Sequence, residues 1–427
     1  MTPLLKRLLA SDRLWIACST AFSRVSNFIT NVMLARYGGA VAVGTYSVAL
    51  NTAAAAVQPV CWSLATSATL ETRAARSDHA RRAVVTAHVY WALLLSIVCG
   101  LAFPFLVNRA GVAAAHSLLT NVAGLIVVAS MLVTTALQGA LHGAGEYKPP
   151  AVRLVAVSVV CIVVAVPAVV MLGLAGGLAT LILQYVLLAA ALLHLSRPTT
   201  TERWLVMEAF AAAKLQLIRT APNVLATLIA TGASWLTTIF VVKQSHGMAG
   251  VGVFSVGTSW LVILMIPVNA WSGLSMRVLS SARASSPHEF RAALRGVLIK
   301  DVSFTLVMAV LVFIFADRIA ALYAMANTPL PTILRVSSIT ALVLTTAQVF
   351  ERSMFCLGEQ RAWLHARVIG NLCTLGLAYW LVPMKLEYCA IAVLSGHTCT
   401  AVLCVVQRRR SPWIPVSTKG HGGAGDP

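Results

Sequence analysis

Acidic side chains are scarce in this sequence, which holds 13 aspartates and glutamates among its 427 residues. Charged residues of both signs make up 11% of the chain, whereas soluble domains carry about 25%. Hydrophobic residues make up 59%. This composition excludes a soluble globular domain and indicates an all-α polytopic membrane protein.

Signatures of catalysis and of metal binding are also missing. No two cysteines have the C-x-x-C spacing of a metal site, and the nine cysteines lie in or beside apolar segments, where they act as small hydrophobic residues. The sequence contains no Ser/His/Asp order, no glycine-rich phosphate loop and no paired carboxylates. We therefore predict that the chain is not an enzyme and uses no cofactor or metal.

Long apolar stretches are abundant instead. A membrane helix needs about 20 apolar residues, and twelve such spans can be placed along the chain. They cover residues 14–35, 44–68, 83–107, 118–141, 154–172, 178–195, 221–242, 251–275, 301–316, 332–355, 368–384 and 388–406. An even number of spans predicts that both termini lie on one side of the membrane.

The distribution of the net charge, +19, identifies that side. When the N-terminus is placed in the cytoplasm, most of the 32 lysines and arginines fall in short inner segments, as the positive-inside rule requires. Residues dispersed in this way are topology signals and contacts for anionic membrane lipids, and they do not form one basic surface. We predict a multi-pass protein with cytoplasmic termini and no nucleic-acid partner.

Two inner segments interrupt the apolar pattern. Residues 196–220 form the longest inner connection, a linker at the middle of the chain. Its portion from Glu202 to Arg219 is predicted to be a helix on the inner membrane surface. The residues of this helix predicted to face lipid are Trp204, Met207, Phe210 and Ile218. The tail, residues 411–427, is predicted to be disordered and cytoplasmic.

An internal repeat relates the two parts on either side of the linker. The segment 43–48 (VGTYSV) reappears at 251–256 (VGVFSV), an offset of 208, and the same offset places Pro59 on Pro267. Near the ends of spans four and ten, Gly145 matches Gly358. This duplication predicts two parallel six-helix lobes, residues 1–195 and 221–410, with a cavity between them. The paired prolines are candidate hinges or static kinks.

The first apolar stretch carries an arginine near its middle. A charge at that depth costs at least about 2.5–3.5 kcal/mol unless it faces water or a partner. The polar residues of this stretch share one helical face, a polar stripe that we predict to face water: Thr20, Ser23, Arg24, Asn27, Thr30 and Asn31. The acids nearest the membrane interior, Asp301 and Glu351, are both expected at inner boundaries, so Arg24 needs another anion, and a guanidinium suits phosphate. A structural, snorkelling arginine is the alternative.

At this point the chain resembles a known group. A polar first helix, the turn R-Y-G-G-x(4)-G-x-Y from Arg36 to Tyr46 and two six-helix lobes are similar to the multidrug/oligosaccharidyl-lipid/polysaccharide (MOP) exporter superfamily, with its MATE-like fold. Within it the chain most resembles the O-antigen and exopolysaccharide flippases. The position corresponding to Arg24 in the second lobe is Gly232, so a symmetric set of arginines is not carried over.

This resemblance implies a function. Such flippases move polyprenyl-pyrophosphate-linked oligosaccharide repeat units across the bacterial inner membrane, by alternating access through a cationic cavity. The resemblance implies the same substrate here, and a polysaccharide polymerase and assembly proteins as partners. It also places Arg24 on the cavity-facing part of the first helix.

Uncharged polar residues within the spans are further candidates for substrate contacts. Their amides can bind sugar hydroxyls, or alternatively form hydrogen bonds between helices. The amide candidates are Asn27, Asn31, Asn51, Gln58, Gln138 and Asn269. Candidates for guiding a headgroup at the outer mouth are Arg36, Tyr37 and Lys243, although these residues also mark helix ends. Trp235, Trp260 and Trp271 are candidates for stacking on sugars or for packing.

Three other functions are compatible with the sequence. A MATE-type multidrug or small-molecule exporter has the same fold, but its cationic substrates favour a central carboxylate, which the sequence lacks. A membrane-embedded glycosyltransferase or polymerase belongs to another class, and its usual long outer loop is missing. A non-transporting scaffold is the third alternative, which a buried arginine does not favour.

Overall fold

The computed structural model of the protein describes residues 12–110, 114–197, 203–219 and 221–410, and this part is helical, without a β-strand. The predicted tail lies outside the described residues. In chain order the helices are α1 Asp12–Ala74, α2 Asp78–Arg109, α3 Ala114–Gly143, α4 Lys148–Leu172, α5 Leu174–Ser196, α6 Arg203–Arg219, α7 Ala221–Val241, α8 Gly247–Leu264, α9 Ile266–Ala270, α10 Ser272–Ser285, α11 Pro287–Ile314, α12 Ala316–Leu322, α13 Leu330–Leu357, α14 Gln360–Leu381 and α15 Tyr388–Arg410.

The helices confirm the prediction of an all-α polytopic membrane protein. Ten helices of the described part are long and apolar enough to cross a membrane. The first of these, α1, contains a turn at Gly39 and so supplies two predicted spans, which we call the first arm (12–38) and the second arm (40–74). Helix α14 is not among the ten, since its first half carries Arg361, His365 and Arg367. It nevertheless occupies the eleventh predicted span.

Glycines in unusual backbone conformations mark equivalent turns in the two halves. Gly39 has φ 72° and ψ −177°, and Gly247, at the repeat offset of 208, has φ 58° and ψ −163°. Gly145 and Gly358, the matched pair near the ends of spans four and ten, have φ 81° and φ 80°. Glycine adopts positive φ without steric cost. The sequence repeat therefore corresponds to a repeated backbone geometry.

The neighbours of α1 show that the chain reverses at Gly39. Leu34 would meet a side chain at Gly177, and Gln184 donates a hydrogen bond to Ser23 Oγ over 3.4 Å. The first arm and α5 thus run antiparallel. The second arm runs parallel to α3, because Gly139 packs on Ala65 and, one turn later in both helices, Gly143 packs on Thr69. Helices α3 and α5 run in the same direction, because α4 lies between them and the chain reverses in a short turn before and after α4. The two arms of α1 are therefore antiparallel to each other.

This topology gives the bundle two distinct ends. We call the end that contains Gly39 and Gly247 the glycine end, and the end at which α6 lies the linker end. The segment predicted as a turn, residues 36–43, is helical except at Gly39, because one glycine with positive φ suffices to reverse the chain.

The linker helix is confirmed, with one correction. Helix α6 covers Arg203–Arg219, and Trp204, Met207 and Ile218 are exposed, as predicted. Phe210 was expected to face lipid but packs on the bundle instead: its ring stacks on Trp91 at 4.2 Å, and its carbonyl accepts a hydrogen bond from the Trp91 indole. This contact anchors α6 to α2.

The eighth predicted span is interrupted, whereas its counterpart in the first half is not. Met265 and Trp271 separate α8, α9 and α10, and Pro267 lies within the short α9. The second arm of α1 continues through Pro59 without a break. The paired prolines therefore do not produce paired breaks.

Helix α11 corrects the position of an acid. The ninth span was expected to begin at Asp301, but α11 begins at Pro287 after an N-cap at Ser286. Asp301 lies in the middle of this helix and is 1% exposed. The apolar run begins at Asp301, while the helix extends about four turns further toward the linker end, which is why the hydrophobic pattern underestimated its length.

Candidate functional site

The two halves meet at the glycine end through two glycines at equivalent positions. A Cβ added at Gly44 would lie 2.0 Å from the carbonyl oxygen of Met248, and one added at Gly252 would lie 2.0 Å from that of Ala40. Both pairs are related by the offset of 208. The backbones of α1 and α8 therefore touch across a local pseudo-twofold axis, a contact that only glycine permits.

Aromatic residues extend this contact toward the middle of the bundle. Phe28 of the first arm packs edge-on against Trp260 at 5.5 Å and against Tyr323 at 5.9 Å. The Trp235 indole donates to Thr52 Oγ1 over 3.2 Å. Trp235 and Trp260 thus pack between the halves, and the third candidate, Trp271, stacks edge-on with Phe304 and lies beneath Lys300.

Arg24 lies beyond this closed region, toward the linker end. At about 1.5 Å per residue it is about 20 Å along the first arm from Gly39. Its side chain is exposed, and among the described residues no carboxylate pairs with it. On α5, Gln184 donates a hydrogen bond to Ser23, the residue before Arg24, and Tyr185 lies within electrostatic range of the Arg24 guanidinium. Sequence analysis missed both α5 residues.

The remaining polar residues of the first arm divide into two groups. Asn27 is half-buried, but Thr30 and Asn31 are buried, so the predicted wet face is wet only around Arg24. The Thr30 hydroxyl donates to the Ser26 carbonyl, and Asn31 Oδ1 accepts no hydrogen bond from the residues that the structure describes. The prediction that the whole stripe faces water is therefore wrong at its end nearest to Gly39.

The other amide candidates lie on separate helices. Gln58 and Asn269 are exposed, whereas Asn51 and Gln138 are half-buried. Among the described residues, no hydrogen bond joins any two of the predicted amides or connects them to Arg24. The structure therefore places them around the halves without assembling them into one cluster.

The three residues predicted at the outer mouth lie together at the glycine end. Arg36 is exposed, and its Nε donates to the Leu322 carbonyl over 2.8 Å, which links the halves. Tyr37 is exposed beside it. Lys243 is exposed in the π-helical turn Val242–His246 that leads into Gly247.

A buried ion pair in the second half was missed by sequence analysis. Arg352 of α13 donates to Asp301 over 3.0 Å and to the Val268 carbonyl over 2.8 Å. The Arg352 and Asp301 side chains are 8% and 1% exposed. Val268 belongs to α9, so the pair ties the interrupted span to α11 and α13. Sequence analysis counts Arg352 among the inner basic residues, because it lies three residues from the end of the predicted span 332–355.

An apolar groove opens on the outside of the bundle at the linker end. It has a volume of about 720 Å³ and lies between α2 and α6. Its lining consists of Thr86, Tyr90, Leu93, Leu94, Ile97, Val206, Met207 and Phe210. A groove of this composition suits a hydrocarbon chain.

Comparisons with known proteins show the fold. The sequence matches no protein-family model and no curated protein. An inward-facing multidrug resistance MATE family transporter of the MOP superfamily aligns over 91% of this chain and 97% of its own, with TM-score 0.70 and 16% identity. An outward-facing conformation covers 96% and 98%, with TM-score 0.65 and 15% identity. MATE in the straight conformation gives the same coverage at TM-score 0.64 and 15% identity.

These likenesses show that the chain has the predicted MATE-like fold. Two of the solved structures that share it are named multidrug resistance transporters. The likeness is higher to the inward-facing conformation than to the outward-facing one.

Proposed function

We propose that this chain, which has the fold of a MATE transporter, moves polyprenyl-pyrophosphate-linked oligosaccharide across the bacterial inner membrane. The observation that supports this most directly is Arg24, an exposed cation within a membrane-spanning helix that has no carboxylate partner among the described residues. A guanidinium binds phosphate oxygens through charge-assisted, bidentate hydrogen bonds. A pyrophosphate is therefore the substrate group that best matches it.

The acids of the long helices argue in the same direction. Each of the three that is buried or half-buried lies beside a basic side chain: Glu71 by His88 at 3.9 Å, Asp301 by Arg352 at 3.0 Å and Glu351 by Arg367 at 3.9 Å. A cationic substrate would have to displace a partner from one of these acids. An anionic substrate meets Arg24 without such competition.

The orientation follows from the charge distribution. Most lysines and arginines lie at the linker end, which we assign to the cytoplasm by the positive-inside rule. The closed glycine end then faces outward, with Arg36, Tyr37 and Lys243 at its mouth. Arg24 is thereby accessible from the cytoplasm, where lipid-linked sugars are assembled.

The apolar groove between α2 and α6 provides a place for the lipid part of the substrate. It lies outside the bundle at the cytoplasmic end, so a prenyl chain can rest there while the pyrophosphate is at Arg24. Opening the contact between Gly44 and Gly252 exposes the headgroup to the other side. The residues with uncharged amides, such as Asn27 and Gln58, then contact the sugars.

A multidrug exporter is the second candidate function. The solved structures that share the fold include multidrug resistance transporters, which favours it. In that case Arg24 would be a structural residue and one of the paired acids would bind the drug.

The two candidates are separated by a strain that lacks this gene and produces a polyprenyl-linked surface polysaccharide. We expect lipid extracts to accumulate the linked repeat unit while surface polymer is lost. Complementation with Arg24→Ala fails, and Arg24→Lys restores a part, because a lysine keeps the charge but not the bidentate geometry. Arg109→Ala, which removes an exposed arginine at the glycine end of α2, is the matched control and complements fully. Full complementation by well-inserted Arg24→Ala contradicts the proposal. Normal polysaccharide with altered drug sensitivity favours the exporter.

A further inference from the structure

Three polar side chains form a buried cluster between the second arm of α1 and α2. Ser67 Oγ lies 2.7 Å from Glu71 Oε1 and 3.1 Å from His88 Nε2. His88 Nδ1 lies 2.8 Å from the Val84 carbonyl oxygen, and Glu71 Oε2 lies 3.9 Å from His88 Nε2. The side chains of His88 and Glu71 are 1% and 16% exposed.

The hydrogen-bond inventory of this cluster shows how many protons it holds. A carbonyl oxygen only accepts, so His88 Nδ1 carries a proton. The Ser67 hydroxyl has one proton and two close neighbours. When it donates to Glu71, His88 Nε2 must carry a proton to donate to Ser67 Oγ, which makes His88 an imidazolium. When Ser67 donates instead to Nε2, Glu71 must be protonated to donate to Ser67 Oγ.

Both arrangements contain one proton more than neutral His88 with ionised Glu71. If that proton leaves, two acceptor atoms face each other across either the 2.7 Å or the 3.1 Å contact, and a buried acceptor is left unpaired. The two arrangements differ only by transfer of protons along Glu71, Ser67 and His88. From this geometry we infer that these residues form a proton-binding site, with Ser67 as the relay between a carboxyl and an imidazole.

The surroundings contain no second partner that would replace this proton. Among the described residues, ion pairs and hydrogen bonds connect Glu71 and His88 only within the cluster and to Val84. Titratable or charged groups toward the linker end of the same and neighbouring helices, and in the turns between them, include Arg73, Arg76, Asp78, His79, Arg81, Arg82, Tyr90, His142, Glu146, Tyr147, Lys148, Arg153, Glu208 and Lys214. Asp78 pairs with Arg81 at the exposed start of α2, and His142 stacks on Tyr147. Glu71 lies three residues before Ala74, the last residue of the arm, and is the member of the cluster nearest to the linker end on that arm.

Proton binding rests on this geometry alone, whereas its use to drive transport rests on the proposed function. Net transfer requires the proton to leave, and leaving destabilises the observed packing of α1 on α2. Proton release to one side and substrate movement through the bundle are then linked through the same arm that carries Gly44 and Pro59.

Infrared difference spectroscopy of the full-length protein in lipid nanodiscs, titrated from pH 5 to pH 9, tests the site. We expect one titration, in the carboxyl C=O stretch or in the imidazole ring modes, that the difference between the wild type and Glu71→Gln isolates from the signals of the other nine histidines. Glu71→Gln removes it, and the milder Ser67→Ala shifts its midpoint by about one pH unit, since a hydrogen bond that distinguishes the protonation states is lost. Glu351→Gln is the matched control, because Glu351 also lies 3.9 Å from its cation and is 23% exposed. It leaves the titration unchanged.

A titration that persists unaltered in both Glu71→Gln and Ser67→Ala overturns the proposal, as does the absence of any titration in the wild type. Coupling is measured separately, as the pH dependence of substrate translocation in vesicles. Loss of that dependence in Glu71→Gln supports coupling. If the vesicles translocate no lipid-linked sugar at all, the proposed function fails while the infrared result still decides the proton site.

Discussion

The two sequence-related halves of this protein share their backbone and differ in their charges. Gly39 and Gly247 adopt the same unusual turn, Gly145 and Gly358 share another, and Gly44 and Gly252 touch at equivalent points. Ser77 and Ser286 each cap the helix that follows: each hydroxyl accepts a hydrogen bond from the backbone N–H three residues further along the chain. Duplication has thus preserved features that depend on chain geometry.

The charged groups follow no such symmetry. The first half has the exposed Arg24 and the Glu71–His88 cluster, and the second half has the buried Asp301–Arg352 pair. The site equivalent to Arg24 is Gly232, where an added Cβ would meet no atom within 4 Å. The comparison suggests a division of roles, in which the first half binds substrate and proton while the second half provides a rigid, ion-paired counterpart.

The largest effect is expected from the shared glycine contact. Gly44→Val and Gly252→Val each place a side chain against a backbone oxygen, so the closed glycine end cannot form. We expect transport to fall at least about tenfold for either variant, since a shift of about 1.4 kcal/mol between states suffices. Cysteine accessibility from the glycine end measures the opening. Gly232→Ala, in open space, is the control. A large effect at only one of the two glycines breaks the proposed equivalence.

The next largest effect concerns the stability of the second half. Arg352→Met leaves Asp301 buried and unpaired, which costs about 3–5 kcal/mol of unfolding free energy. Arg367→Met, which breaks the partly exposed pair with Glu351, costs below about 1 kcal/mol. Thermal unfolding in detergent compares the two variants. Equal losses of stability contradict the structural role of the Asp301–Arg352 pair.

A transfer of charge between the halves gives a partial effect. In the inactive Arg24→Ala background, we expect Gly232→Arg to restore a fraction of transport, because the equivalent position offers room for the side chain. Restoration by Gly232→Leu to the same extent shows that bulk, and not charge, is responsible. Surface polysaccharide in the complemented strain is the readout.

The smallest effect separates the two prolines. Pro59→Ala should change transport little, since α1 is already continuous through this position. Pro267→Ala should slow transport several-fold, because it favours a continuous helix where the chain is interrupted at Met265 and Trp271. Substrate export rates at equal protein levels test this difference. A larger effect at Pro59 would revive the hypothesis of a hinge in the first half.

Much of the fold could be predicted because it depends on local pattern. Apolar runs located the twelve spans, and the R-Y-G-G sequence that begins at Arg36 indicated the turn at Gly39. The start of the apolar run at Asp301 was a misleading sign of where the helix begins, because α11 begins with a polar segment before this residue. A membrane helix can extend beyond the bilayer, and the extended part carries charged residues. Hydropathy therefore locates the apolar part of such a helix but not its ends.

The candidate site was less predictable because it depends on which helices face each other. The isolated charge of Arg24 was visible in the sequence, but its neighbours Gln184 and Tyr185 lie about 160 positions away on α5. Likewise, the sequence places His88 within an apolar span, 17 positions after Glu71. Only the rotation of α2 against the second arm of α1 places it beside Ser67 and Glu71.

The most direct measurement of the central claim uses the purified protein in sealed vesicles that contain a fluorescent polyprenyl-pyrophosphate oligosaccharide. The assay follows the appearance of the sugar on the opposite leaflet. We predict translocation by the wild type, a loss of translocation with Arg24→Ala and partial activity with Arg24→Lys. Equal translocation by the wild type and Arg24→Ala, or none by a wild type that instead moves a cationic drug, would contradict it.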